Sequence, residues 1–304
     1  MFKMKKVMLV LTAVGIAAAA NAKILRVSNV SGSSAPYTTI AAAHDAASTG
    51  DTIMVDISPK AYDGTTLTKK VVLIGAGYWL VDNGILSEGA SSAMVGEIKT
   101  YAEGTTICGI DFTGAGNNNV IIYGSKTVVK RCRVQNVHIA SGVSNCVIHQ
   151  NFIGNVVGDS YEESSYHQIT NNIFRKGNFR NIDNSYIAYN TFALNKVTIF
   201  SSKDNTFEKN LWKSHDEESS CTFNDNYEGD NLFPTVTDYK GIDSDVYNNN
   251  LTMDIRNKYG AFAGDSPYVL SGVPAGPVIQ DMIVPTTVEL GSKLNVTIKV
   301  GVQQ

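Results

Sequence analysis

One short phrase recurs through the middle of the chain: an apolar residue, two variable positions, an Asn, then apolar or aromatic residues. It reads IHQNFI at 148–153, ITNNIF at 169–174, IAYNTF at 187–192, FEKNLW at 207–212 and FNDNY at 223–227. Upstream, VKRCRV at 129–134 keeps the frame with Cys132 in the Asn place, and ICGIDF at 107–112 is a weaker copy. The column Cys132, Asn151, Asn172, Asn190, Asn210, Asn226 advances by 16 to 21 residues per step. A loose period near twenty, built of short β-type runs and polar turns, marks a chain that stacks identical supersecondary units.

Two solenoids suit this length. Leucine-rich repeats need an L-x-x-L-x-L framework, which this Leu-poor region lacks, so the spacing predicts an all-β parallel β-helix. Two apolar columns then face inward: Val129, Ile148, Ile169, Ile187, Phe207, Phe223, and Val134, Ile153, Phe174, Phe192, Trp212. No single rung could bury them alone. The Asn is expected at a corner, where it tolerates left-handed backbone angles, with its amide bonding from rung to rung. Stacked in this way, the amides would form a ladder that satisfies every buried polar group.

The N-terminal part carries a second signal. Residues 37–55, YTTIAAAHDAASTGDTIMV, read as a short Ala-rich helix ending at Gly50, with GDTI-V opening the first strand. Tyr62 and the run KKVVLIGAG at 69–77 follow, the Gly75 and Gly77 pair serving as a tight turn between rungs. Together with the Asn corners, these features resemble the pectate-lyase-like superfamily of right-handed parallel β-helix proteins. The resemblance implies a capping helix over the open end and extends to GDSPY at 264–268, which is similar to the final rung of such proteins. Fold likeness by itself says little about activity.

The ends divide the chain. A basic head (Lys3, Lys5, Lys6), an apolar run from Val7 to Ala20 and Ala20-Asn21-Ala22 describe a secretory signal peptide over 1–22. Export to a periplasm or the extracellular space is the expectation, with no membrane span in the mature chain. Removing the three lysines takes the formal charge from −3 to −6. That acidity, with no basic tract, argues against a nucleic-acid partner. The β-helix domain is placed at 23–273 and a linker with a β-strand tail at 274–304. In the tail, LNVTIKV at 294–300 alternates like a half-buried strand. It is expected to pack back over the last edge of the helix; the other reading is the start of a truncated β-sandwich, or a strand offered to a protein partner by edge pairing.

The four cysteines (Cys108, Cys132, Cys146, Cys221) include no C-x-x-C pair and read as small buried residues, with pairing left open. No metal-ligand motif, phosphate loop or G-x-S-x-G occurs. Chemistry is therefore sought on the variable columns before the Asn. Lys130, Arg131 and Arg133 with His149 on the next rung make a basic corner, and Lys130, Arg131, His149, Tyr189 and Lys209 are the candidate substrate-binding residues. Glu208 and Asp225, on neighbouring rungs, are the candidate catalytic carboxylates, since closeness would raise one pKa. Two loops, 159–167 and 213–218, each join a His to acids, and Tyr161, Tyr166 and Tyr189 are candidate sugar platforms. The reading is an exported protein that binds polysaccharide or mediates surface interaction. The alternative is a polysaccharide lyase or glycoside hydrolase acting on an acidic polysaccharide. No cofactor is evident; the resemblance would bring calcium only with lyase activity.

Overall fold

The computed structural model describes residues 22–302 apart from 89–90, 115, 160–163, 194–195, 217–219, 230–240, 248–250, 276, 284–292 and 294–295. Residues 1–21 of the segment read as a signal peptide, Tyr161 and part of the acidic loop at 213–218 thus lie outside the described residues. The chain coils as a parallel β-solenoid. Sheet 1 stacks ten strands in chain order, from Ile24–Val27 and Thr52–Val55 through Val147–His149 and Gln168–Thr170 to Thr222–Asn224. Sheet 2 runs from Thr65–Leu67 to Tyr227–Glu228. Its long members, Arg133–Ile139, Phe152–Gly158 and Ile173–Arg180, bend mid-strand and so serve two walls.

Register follows the repeat. Val129, Ile148, Ile169, Ile187 and Phe207 pair in line, as do Val134, Ile153, Phe174 and Phe192, and all are buried. Phe223 continues the first column, and Trp212 joins the core. The Asn column forms the expected ladder. Asn151, Asn172, Asn190 and Asn210 each donate from Nδ2 to the Oδ1 one rung on, at 3.0–3.1 Å. Each Oδ1 of Asn151, Asn172, Asn190, Asn210 and Asn226 also accepts a backbone N–H from the preceding rung at 2.9 Å.

One detail differs from the sequence reading. The left-handed residue is not the Asn but the one before it: Arg131, Gln150, Asn171, Tyr189, Lys209 and Asp225 all have φ between 43° and 57°. The outward residue absorbs the turn, which leaves the Asn free to point inward and bond. A second corner repeats the device. Lys126, Asn145, Tyr166, Asn184 and Asp204 are left-handed, and Thr127, Cys146, His167, Ser185 and Asn205 after them are buried.

Both ends also depart from expectation. Ile24–Val27 precedes the GDTI-V strand and pairs with it in parallel, so the sheet begins one strand earlier. Helix α1 (Ile40–Ala46) stops short of Gly50, with Thr39 capping its start. It packs on the first strands, and buried His44 accepts the N–H groups of Thr68 and Lys69. Among the described residues the rungs end at Tyr227–Glu228, and GDSPY forms no strand. After α2 (Asp243–Tyr247) and α3 (Met253–Lys258), residues 260–274 instead run back along the Asn corner as a strap. Gly260 N–H donates to Lys209 O, Asn171 Nδ2 to the Ala261 and Ala263 carbonyls, Gln150 Nε2 to Pro267 O, and Arg131 Nη1 to Val273 O. Gly272, at φ +57°, passes so close that a Cβ there would sit 2.4 Å from Arg131 O. Buried Asp243 fastens the strap, accepting from Ser271 N–H, Tyr268 Oη and Asn83 Nδ2; burial raises its carboxyl pKa. Beyond the strap, Thr297–Val302 pairs antiparallel with Pro277–Ile283 in a separate two-stranded sheet, rather than closing the solenoid's edge.

The ladder's energetic weight is testable. Asn190→Ala orphans the Ile169 carbonyl and the Asn172 amide donors, all buried. It should lower unfolding free energy by about 3 kcal/mol or more, since each buried unpaired group costs about 1–3 kcal/mol. Equilibrium denaturant unfolding measures the loss.

Candidate functional site

The strap covers the ridge on which the sequence places its binding residues. Arg131 spends its guanidinium on Gln150 Oε1 (2.8 Å) and the Val273 carbonyl (2.9 Å). Tyr189 lies under the strap against Gly264. Lys209 pairs with Asp225 and sits 5.4 Å from the Tyr259 ring centroid. His149 and Lys130 belong to the outward column of sheet 1, in register with Thr170, Ala188, Glu208 and Asn224. His149 bonds Thr170 through Nδ1 and Ser266 Oγ through Nε2 (3.0 Å). Partial burial chiefly lowers its pKa, and the charges of Arg131 and Lys130 add to this.

Glu208 and Asp225 have separate partners. Glu208 accepts from Tyr186 Oη at 2.9 Å; burial and that carboxylate push the phenol up to about 12. Asp225 is held by Lys209, by Tyr259 Oη (2.7 Å) and by Lys258 (3.6 Å), which bring its carboxyl down to about 2. The depression comes from the two lysines and the Tyr259 phenol, with no carboxylate among its causes. Among the described residues, no group of three or more His, Cys, Asp or Glu is placed to hold a metal ion.

The histidines of the two loops are tied into the fold. His167 is buried in the second corner, with Nδ1 accepting Cys146 N–H (3.1 Å) and Nε2 on Ser164 Oγ (2.9 Å). His215 packs at a tilt against Trp212 and Phe223 over the last rungs and bonds Glu228. None of the four cysteines forms a disulfide. Burial raises the thiol pKa of Cys108, Cys132 and Cys146, the last to about 11, which keeps that thiol protonated and unreactive.

The outer face of sheet 2 is different in character. Its outward column runs Thr66, Lys99, Ile121, His138, Val157, Arg180, Phe200. Two positions back along the strands, Asn119, Asn136, Asn155 and Asn178 align as a second amide column. Asn136 donates to Asn119 (2.9 Å) and Asn155 to Asn136 (2.7 Å). Arg175 and Lys176 stand exposed on the bend beside Asn178, and Arg180 lies 5.6 Å from the Phe200 ring centroid. Tyr101 and Tyr123, both exposed, stack with centroids 4.4 Å apart and planes 7° from parallel. Sequence reading missed this face because its amides are spaced 17, 19 and 23 residues apart, out of step with the dominant phrase. The signal was present in the alternation around Val120 and Val137.

No family model, curated protein or solved structure matches the chain. The fold defines its class: a parallel β-solenoid, consistent with the β-helix architecture.

His167 gives a pH prediction. Its folded pKa, about 4, lies below the ordinary 6.5, so the unfolded chain binds the extra proton. Its contribution is therefore intact above about 6.5 and is lost as pH falls from there through 4, by on the order of 3 kcal/mol. His167→Asn, which places an amide in the column that Asn205 already occupies, should flatten that part of the stability–pH curve relative to wild type in urea unfolding.

Proposed function

We propose that the protein is an exported polysaccharide-binding solenoid that takes an acidic chain along the outer face of sheet 2. The observation that carries this reading is the in-register assembly of cations, amides and a stacked aromatic pair on a face the strap leaves uncovered. Rungs separated by about 4.8 Å repeat the Asn119, Asn136, Asn155 and Asn178 amides at regular intervals, as a polymer of repeating units requires. The Tyr101–Tyr123 pair presents flat apolar surface to the C–H faces of sugar rings. The exposed Asn178 amide, at the end of the Asn119, Asn136 and Asn155 column, offers a donor and an acceptor to hydroxyls. Arg175, Lys176, Arg180 and Lys99 supply positive charge on a chain whose mature net charge is −6, and charge complementarity selects uronate or sulfate groups. Of these, Lys99 has a carboxylate near it, Glu97 at 3.7 Å.

Affinity electrophoresis tests the reading. Alginate should retard the protein and a neutral glucan should retard it much less, with the effect shrinking as salt is raised. Tyr101→Ala with Tyr123→Ala should weaken binding about tenfold or more, a loss of about 1.4 kcal/mol or greater. Arg175→Ala, Lys176→Ala and Arg180→Ala together should abolish the preference for acidic chains. Absence of retardation by any acidic polymer at low salt defeats the reading.

A further inference from the structure

The strap places a hydroxyl against an imidazole in the arrangement of a nucleophile and its base. Ser266, exposed on the strap, has Oγ 3.0 Å from His149 Nε2. On the other side of the ring, His149 Nδ1 lies 3.2 Å from the Thr170 carbonyl and 2.9 Å from Thr170 Oγ1. A carbonyl oxygen only accepts, so it favours the tautomer with the proton on Nδ1. That leaves the Nε2 lone pair facing Ser266 Oγ–H. Partial burial and the neighbouring Arg131 and Lys130 charges keep the ring neutral, and so able to take a proton, at neutral pH. The serine is held in place from behind: Gln150 Nε2 donates to the carbonyls of Ser266 (3.3 Å) and Pro267 (2.5 Å). Nucleophile, base and an orienting third group within hydrogen-bond reach are the signature of an activated serine.

We propose that Ser266 and His149 form a serine esterase centre, with the Thr170 carbonyl orienting the base. In the first step Ser266 Oγ adds to an ester carbonyl carbon as its proton passes to His149 Nε2. The bond from that carbon to the alcohol oxygen breaks, and His149 returns the proton to the departing alkoxide. Water then adds to the acyl-serine, giving its proton to Nε2, and the serine oxygen leaves and recovers a proton. One ester and one water yield one carboxylic acid and one alcohol, with no oxidant or metal in the balance. Ser266 is exposed on the strap, so its hydroxyl can be reached by an acyl group carried on a large polymer. The substrate class is therefore an O-acylated polysaccharide, an assignment that rests on the binding role proposed above.

The experiment uses the mature chain with a fluorophosphonate probe, p-nitrophenyl acetate and an O-acetylated glycan. Expected are probe labelling mapped to Ser266 by mass spectrometry, hydrolysis of the model ester and acetate release from the glycan. Ser266→Ala should lose labelling, and Ser266→Ala and His149→Gln should each lower ester hydrolysis about 100-fold or more. Because the base is neutral and its pKa is lowered, wild-type activity should hold below pH 6.5 and fall only at more acidic pH. Melting curves of Ser266→Ala should match wild type, since the Gln150 and Arg131 contacts to the strap remain. Absence of labelling at Ser266, or ester hydrolysis equal in wild type and Ser266→Ala, overturns the proposal and leaves the contact as a pin for the strap. Alginate retardation of Ser266→Ala reads the binding role separately: if it persists while hydrolysis is absent, the esterase alone has failed.

Discussion

A buried side-chain amide can be tolerated only if every one of its donors and acceptors is met, and the column from Asn151 to Asn226 meets them by repetition. Each amide from Asn151 to Asn210 bonds the next amide, a backbone N–H and the carbonyl of the apolar column one rung behind it. A slip of one residue would leave these groups unpaired on several rungs at once, at about 1–3 kcal/mol for each. Register is thereby fixed along the whole stack. Every outward column, and so every surface on which a ligand could lie, inherits its alignment from this interior.

The same corner explains why the chain returns along it. Left-handed residues before each Asn turn carbonyls and polar side chains outward, and such groups need partners. Residues 260–274 provide them, bonding Lys209, Asn171, Gln150 and Arg131 in succession. The ridge richest in polar side chains is thus largely taken up by the fold itself. What chemistry remains there depends on the strap, because Ser266 reaches His149 only once the chain has turned back. The open face of sheet 2 has no such covering among the described residues, and there cations and tyrosines face solvent.

Legibility in the sequence tracked the length scale of each interaction. The inward columns and the Asn ladder were readable because one phrase recurs with both its apolar and polar members. The left-handed position was misassigned by a single residue: Asn favours such angles, but the residue before it, whether Arg131, Tyr189 or Lys209, actually adopts them. Strand Ile24–Val27 and the early end of α1 were missed because four-residue strands and short helices carry little periodicity. The tail strand was foreseen, yet its partner is Pro277–Ile283.

The sequence by itself determined the stacked β architecture, since nineteen-residue periodicity in apolar and amide residues admits one way of burying both. Tertiary structure alone decided which surfaces are free. That depended on where residues 260–274 fold back, a matter of contacts between segments 50 to 190 positions apart, such as Tyr268 with Tyr78 and Gly260 with Lys209. No local pattern encodes such pairings, because each is selected by the shape and hydrogen-bonding groups of a ridge that exists only after the rungs have stacked.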